Sequence, residues 1–600
     1  MFTTTFASKL RLVLFLLAAL AALAPEHVWS QIPDDKLDRV LQARARQLTG
    51  RSRVIVQFHG DTDPRAITGR GGIAGRPLPS VGAQVADLDN TALAGVAGDP
   101  RVAWIRPDHP VFPTLERTGA AVAAAVARAT YRLSGKGIGV AVVDSGITAW
   151  HDDLYLTGSK SPRADPRIVH FKDFTVAGNP RIWTSDQPID EFGHGTHVAG
   201  VVAGNGFDSD GARMGIAPQA QLVGLRVLDA DGFGHISDVI AALDYAVAVK
   251  DTYNIRVINL SVASGVFESY ETDPLALAAR RAVEAGIVVV AAAGNLGTSA
   301  QGESQWGGIT CPGNAPWVLT VGASSHESTR ARSNDTVTRF SSRGPTWIDF
   351  AAKPDLVAPG IGTESLSDPH STLYAAYPAY LLDGTRPTAY KPYLSLSGTS
   401  MAAPVVAGTV ALMLEANPDL TPNAVKAILQ YTAEVREDES FLAQGAGLLN
   451  ALGAIRMARF FATPRRRMPE PGDVIEAERI AWSEHIIWGN ELIDGGIPLP
   501  GSNAWALDVT WGAEATDAGT PIVWGVKTDD NLVQSANIVW STKSHDNTVW
   551  GTNIVWSTNI VWSTNIVWST GNVDQVLWPA PPLVDNRRRA SARGNRREDQ

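Results

Sequence analysis

Ile138-Gly139-Val140-Ala141-Val142-Val143-Asp144-Ser145-Gly146-Ile147 is a run of β-branched and small apolar residues that stops on a carboxylate and a serine–glycine turn. The apolar part does not alternate with polar residues. It therefore reads as a strand buried on both faces, as in a parallel sheet covered by helices. The pattern recurs at Leu222–Val227, Arg256–Ser261, Gly286–Ala292 and Trp317–Val321, interspersed with the helix-length stretches Ser237–Lys250, Leu275–Ala285 and Ala402–Ala416. Such alternation implies an α/β domain of three layers around a mainly parallel sheet. Ligands in these sheets gather where strands end and helices begin, and Asp144 stands at such an end.

Three other motifs share that setting. His194 lies in Gly193-His194-Gly195-Thr196-His197-Val198-Ala199-Gly200, where glycines let backbone close tightly around the ring. His194 and His197 are spaced as metal ligands can be, but no Cys or Glu follows at ligand spacing. Ser400, in Gly398-Thr399-Ser400-Met401-Ala402-Ala403-Pro404, opens a helix. A serine there is ordinarily a cap, but the helix dipole also favours a nucleophile that develops negative charge. Asn295, in Ala291-Ala292-Ala293-Gly294-Asn295, reads as a turn residue or as an amide donor to an oxyanion. Asp144, taken alone, reads first as a strand-end cap and only second as a carboxylate orienting an imidazole.

In the chain order Asp, His, Asn, Ser these motifs resemble those of the subtilases, the subtilisin-like serine peptidases. The resemblance spans roughly Ile138–Gly453. It includes Met214-Gly215-Ile216-Ala217-Pro218, Val257-Ile258-Asn259-Leu260-Ser261, Lys353-Pro354-Asp355-Leu356-Val357-Ala358-Pro359-Gly360 and Gly445-Ala446-Gly447-Leu448-Leu449-Asn450. It implies a secreted endopeptidase acting on polypeptides through an acyl-enzyme, with Ser400 as nucleophile, His194 as general base and Asp144 orienting it. Asn295 and the Ser400 N–H would hold the oxyanion, and His197 would be structural. Ser261, Val262 and Ala263 would pair with substrate backbone, with Ala263 standing where glycine is usual. Ala292, Ala293 and Gly294 would wall the primary pocket and Thr310 would line its floor, placing Cys311 near substrate. The chemistry needs no cofactor. Asp153 matches a calcium ligand of the family, and Asn205–Gly211, with Asp208 and Asp210, is a candidate companion loop for structural calcium. Activity is expected to fall with pH through an imidazole pKa near ~6–7.

The flanks complete the expected organisation. Lys9 and Arg11 precede the apolar run Leu12–Ala24, so residues 1–30 read as a signal peptide, and no later stretch reads as long and apolar enough to span a bilayer. Residues 31–115 show a strand at Val54–Phe58, a helical stretch near Val85–Gly98 and a strand at Val102–Ile105. This small α+β unit resembles the family's inhibitory propeptide, an intramolecular partner released by self-cleavage within Asp108–Gly119. The peptidase domain is expected over 116–460 and a linker over 461–475. A β-rich or low-complexity extension over 476–580 holds 11 of the 18 tryptophans, including three unbroken copies of Asn-Ile-Val-Trp-Ser-Thr from Asn553. This repeat carries the alternative reading, a catalytically weak protein that contacts a cell surface or polysaccharide. A basic, disordered tail closes the chain at 581–600. A single cysteine excludes an internal disulfide framework, and a net charge of -10 speaks against nucleic acid as a partner.

Overall fold

The computed structural model describes residues 36–537, apart from 38, 79–82, 108–117, 120, 156–165, 176–186, 300, 328, 330–331, 464–466, 476–477, 495 and 527–533. The expected signal peptide, nearly all of the expected self-cleavage segment, the Asn-Ile-Val-Trp-Ser-Thr copies and the basic tail lie outside the described residues. The chain divides into two compact units, Met1–Phe112 and Pro113–Gln600.

The first unit is an antiparallel sheet of β1 (Arg51–Phe58), β2 (Ile73–Leu78), β3 (Ala83–Asp89) and β4 (Val102–Pro107), in the order β2-β3-β1-β4. Val54, Val56, Ile105, Leu88 and Leu93 are fully buried in its core. The expected helix near Val85–Gly98 is corrected here. Its first part is β3, paired with β1 from Val54↔Ala86 outward, and the helical part is a 3-10 turn at Asn90–Ala92 followed by the short helix Leu93–Ala97. Pairing with two neighbouring strands outweighs the modest helix propensity of an alanine- and leucine-containing segment.

The second unit is built on β5 (Gly139–Asp144), β6 (Ile168–Asp173), β7 (Gln221–Arg226), β8 (Ile255–Leu260), β9 (Val288–Ala292), β10 (Leu319–Ser325), β11 (Thr336–Val337) and β12 (Leu356–Pro359). The order is β11-β10-β9-β8-β5-β7-β6, with β12 also on β10, and every pair is parallel except β10–β11. Every residue of β5 and β9 is buried, as unbroken apolar runs require. Helices α1 (His194–Ala203) and α4 (Thr399–Ala416) share one hydrophobic cluster, while α2 (Ile236–Val249) and α3 (Pro274–Glu284) share another with the alternate residues of the same strands. The sheet is thus the middle layer of three. At 18 residues and mean hydropathy 1.4, α4 has the length and composition of a membrane span, contrary to the sequence expectation. Its apolar surface is instead packed around the sheet, with Met401 to Leu414 buried.

The sequence sets a linker after residue 460, and the structure differs. Helix α6 (Ala451–Ala462), which follows α5 (Pro422–Tyr431), is succeeded from Gly472 by short strands packed on the same core. Trp482, Trp488, Trp505 and Trp511 are 2–4% exposed, and their indole N–H groups donate to Asp473, Ala513 O, Leu499 O and Ile487 O. These tryptophans close the core of the second unit rather than present a binding face.

Candidate active site

The sheet delivers Asp144 at the end of β5, wholly buried. His194 is the first residue of α1, and its Nδ1 lies 2.8 Å from Asp144 Oδ1, which also accepts the Ser145 N–H at 2.7 Å. Burial pulls the His194 imidazole toward its neutral form. The Asp144 carboxylate and its hydrogen bond more than offset this, leaving the imidazole pKa above its ordinary value of 6.5.

Two residues that motif reading passed over fix this pair. Asp190, 3% exposed, accepts from Ser145 Oγ at 2.8 Å, Gly193 N–H at 2.7 Å and Thr196 N–H at 2.7 Å. Ser145 Oγ in turn accepts the Gly195 N–H at 2.9 Å. One carboxylate therefore clamps the turn after Asp144 to the first turn of the histidine helix. An acidic residue four positions ahead of a helix start is the sequence signal that points to it.

Ser400 lies in the first turn of α4, after Gly398. Its Oγ donates to Ser261 O at 3.1 Å, while Ser261 Oγ donates to Ser400 O at 2.8 Å. The structure thus brings Ser400 to Ser261 and does not place its hydroxyl in a hydrogen bond to His194. Bonds of this kind are often loose before substrate arrives. Asn295 Oδ1 accepts both the Thr399 N–H at 2.9 Å and the Thr399 hydroxyl at 3.0 Å. Its Nδ2 and the Ser400 N both border Gly398, where an added Cβ would lie 3.4 and 3.7 Å from them.

The expected substrate-binding residues converge on the same loop. Ala293 O accepts both the N–H and the hydroxyl of Thr310, at 3.1 and 3.2 Å. The Gly294 N–H donates to Thr399 Oγ1 at 3.2 Å, and Ala292 ends β9 one position before Ala293. Ser264 exchanges backbone hydrogen bonds with Cys311, which ties Ser261, Val262 and Ala263 to the Thr310 segment. Ala263 is exposed at this rim. Cys311 is a correction, because its thiol does not face substrate. It is fully buried and donates to Asp273 Oδ1 at 3.2 Å, the carboxylate that caps α3, and burial pushes the thiol pKa up. His197 is buried, with Nε2 donating to Thr363 O and Leu394 O, and burial holds its pKa down to about 3, so it is a neutral structural ring.

Asp153 meets Asp208 and His151, while Asp210 turns outward to Thr385 and Arg386. Asp153 Oδ1 accepts the Asp208 N–H at 2.9 Å and Oδ2 the Tyr393 hydroxyl at 2.9 Å. His151 Nδ1 accepts the Asp153 N–H and Nε2 donates to Pro392 O. Only Asp208 Oδ2 is buried without a partner in this group. His151, Asp153 and Asp208 place one ligand atom apiece within 4.8 Å of one another, and calcium, which takes six to eight oxygens, would need further ones beyond this set.

The model of the subtilase family matches residues 135–453 of the chain. Serine protease AprX of Bacillus subtilis (strain 168) is 37% identical over 343 residues, covering 56% of this chain and 70% of that protein. Subtilisin E of the same organism is 30% identical over 391 residues, 65% of this chain and 84% of its own length. Among solved structures, S41 psychrophilic protease aligns with 54% of this chain and 96% of its own, at 28% identity and a TM-score of 0.42.

Proposed function

The chain belongs to the subtilase family and is a subtilisin-like serine endopeptidase, and from that premise we propose that Asp144, His194, Ser400 and Asn295 carry its chemistry. In this reading Ser400 Oγ turns from Ser261 O to His194 Nε2 and attacks the scissile carbonyl carbon, while His194 takes the hydroxyl proton. Asn295 Nδ2 and the Ser400 N–H stabilise the tetrahedral oxyanion. His194 then protonates the leaving amine, the C–N bond breaks, and water hydrolyses the acyl-enzyme by the reverse proton path. The observation that carries the assignment is the 2.8 Å His194–Asp144 bond at the strand-end–helix-start junction.

The finer readings belong here too. The precursor is exported through its N-terminal leader, and the first unit acts as an inhibitory propeptide removed by self-cleavage within Asp108–Gly119. Ser261–Ala263 bind the acyl half of the substrate backbone, and Ala292–Gly294 with Thr310 form the primary pocket. The knot of His151, Asp153 and Asp208 holds by hydrogen bonds without calcium, so chelation with EGTA should leave the unfolding temperature unchanged; a clear drop would restore a calcium site. A fluorophosphonate probe tests the central assignment. Labelling of the wild type and none of Ser400→Ala, with a new N-terminus in the 108–119 segment, is expected. Equal labelling of both proteins would remove Ser400 as nucleophile.

A further inference from the structure

Ile486-Ile487-Trp488-Gly489, Val509-Thr510-Trp511-Gly512 and Ile522-Val523-Trp524-Gly525 share one pattern: two β-branched residues, a tryptophan and a glycine. The exact repeats write the same pattern with serine last, at Ile554-Val555-Trp556-Ser557, Ile560-Val561-Trp562-Ser563 and Ile566-Val567-Trp568-Ser569. The first two glycine motifs show how this pattern meets itself. Trp488 Nε1 donates to Ala513 O at 2.8 Å and Trp511 Nε1 to Ile487 O at 2.9 Å. Each indole therefore bonds the backbone of the other motif, with the ring centroids 4.5 Å apart. Gly489 and Gly512 close the pair. Both have positive φ, 62° and 95°, and a Cβ on either would lie 3.0 Å from the Cα of the other.

The third motif lacks such a partner. The half-buried Trp524 meets Trp488 edge to face at 5.7 Å, but its Nε1 is shut from solvent with no acceptor among the described residues. Beside it runs a groove of about 260 Å³, lined among others by Glu484, Ile486, Ile493, Ile497, Pro498 and Trp524 itself. Pockets for small ligands are larger, roughly 300–1,000 Å³, so this one suits a single large side chain and its neighbours.

We propose that one of the three serine motifs between Asn553 and Thr570 docks in this groove, its indole against Ile497 and Pro498 and a backbone carbonyl accepting the Trp524 N–H. A buried donor without an acceptor is costly, which drives Trp524 to turn toward such a carbonyl. Serine disfavours the left-handed backbone of Gly489 and Gly512, and its Cβ would crowd their contact, so a serine motif displaces neither member of the closed pair. Gly525 differs, because it lies in a strand pairing with Pro498. Asn553–Thr570 carries no charge, whereas an acidic segment would be repelled by Glu484. The chain also leaves from the right place. Ser535 pairs with Ile493 of the groove, and Asn537 is two strand residues further on, about 7 Å.

The test exploits the single, fully buried Cys311. Ile497→Cys adds an accessible thiol, and its rate of maleimide modification is read in protein expressed from the full chain. The full chain should react about tenfold or more slowly than a chain ending at Asn537. A synthetic peptide of two Asn-Ile-Val-Trp-Ser-Thr units should restore slow reaction to the shortened chain; the same peptide with alanine for tryptophan should not. Trp556→Ala/Trp562→Ala/Trp568→Ala in the full chain should react as fast as the shortened chain. Modification of Cys311 in the shortened chain would mark unfolding, and the comparison then rests on this triple variant, which keeps every described residue but Ile497. Equal rates in the full chain and the triple variant overturn the docking. So does protection that grows with protein concentration alongside a dimer on size exclusion, since the occupant would then be a second molecule.

Discussion

His194 is held between opposing pulls, and its working pH follows from which wins. Burial favours the neutral ring; the Asp144 carboxylate, with Asp190 behind it, favours the cation and prevails, so the pKa is raised. A protonated imidazole cannot accept the serine proton. Activity is therefore low below that pKa and rises to a plateau above it, and the kcat/KM profile should have its acid midpoint above 6.5, the ordinary value. Asp144→Asn should move this midpoint down and lower kcat by about 10⁴-fold, read from the same profile. Asn295→Ala should cost roughly 100- to 1000-fold in kcat with KM little changed, because its amide acts on the oxyanion rather than on the ground state. At this scale the sequence was highly legible, since Asp144, His194, Asn295 and Ser400 each lie in a short motif. Asp190 was not, because its role depends on three donors that only folding assembles around it.

Among elements, the junction of β5 with α1 sets the geometry of the proposed Asp144–His194 pair. Gly195 is packed so closely there that a Cβ would lie 2.1 Å from Gly146 O and 3.1 Å from Asp144 Cβ. Gly195→Ala must push the helix start away from the strand end. It is expected to lower kcat/KM by about 100-fold, the scale of an ångström-sized misplacement, while circular dichroism retains the α/β signature. A variant with full activity would show that the junction yields. Strands β5, β7, β8 and β9 were readable because a two-sided burial leaves an unbroken apolar run. β6 was not: His170, Lys172 and Asp173 interrupt it, and its place at the sheet edge tolerates them. Cys311 was misplaced for a related reason. Its neighbour Thr310 bonds to Ala293 O, but alternation along an extended chain sends the Cys311 thiol to the opposite side, toward the cap of α3.

Across the whole second unit, stability depends on parts remote in sequence. Asp355, 2% exposed, receives Lys353 Nζ at 2.8 Å and Lys426 Nζ at 2.9 Å, and both lysines are buried to the same degree. Burial drives the Lys426 pKa well below that of an ordinary lysine, so the carboxylate is what makes these ammonium groups tolerable. Asp355→Ala should destabilise by about 3–5 kcal/mol in denaturant unfolding. Trp488→Ala should cost a similar ~3–5 kcal/mol, since the ring is buried against Trp511 at 4.5 Å between centroids. By itself the sequence determined the layered α/β class and the short motifs around Asp144, His194, Asn295 and Ser400 on which the proposed chemistry rests. Those features are written locally, in hydrophobic runs and in glycine-flanked motifs. Only the tertiary structure decided that Trp482–Trp511 belong to the core of the second unit, that Asp153 meets His151 and Asp208, and that Asp190 clamps the turn after Asp144 to the histidine helix. Each of these depends on which distant segments meet, and burial, hydrogen-bond saturation and exposure are properties of that meeting rather than of any stretch of chain.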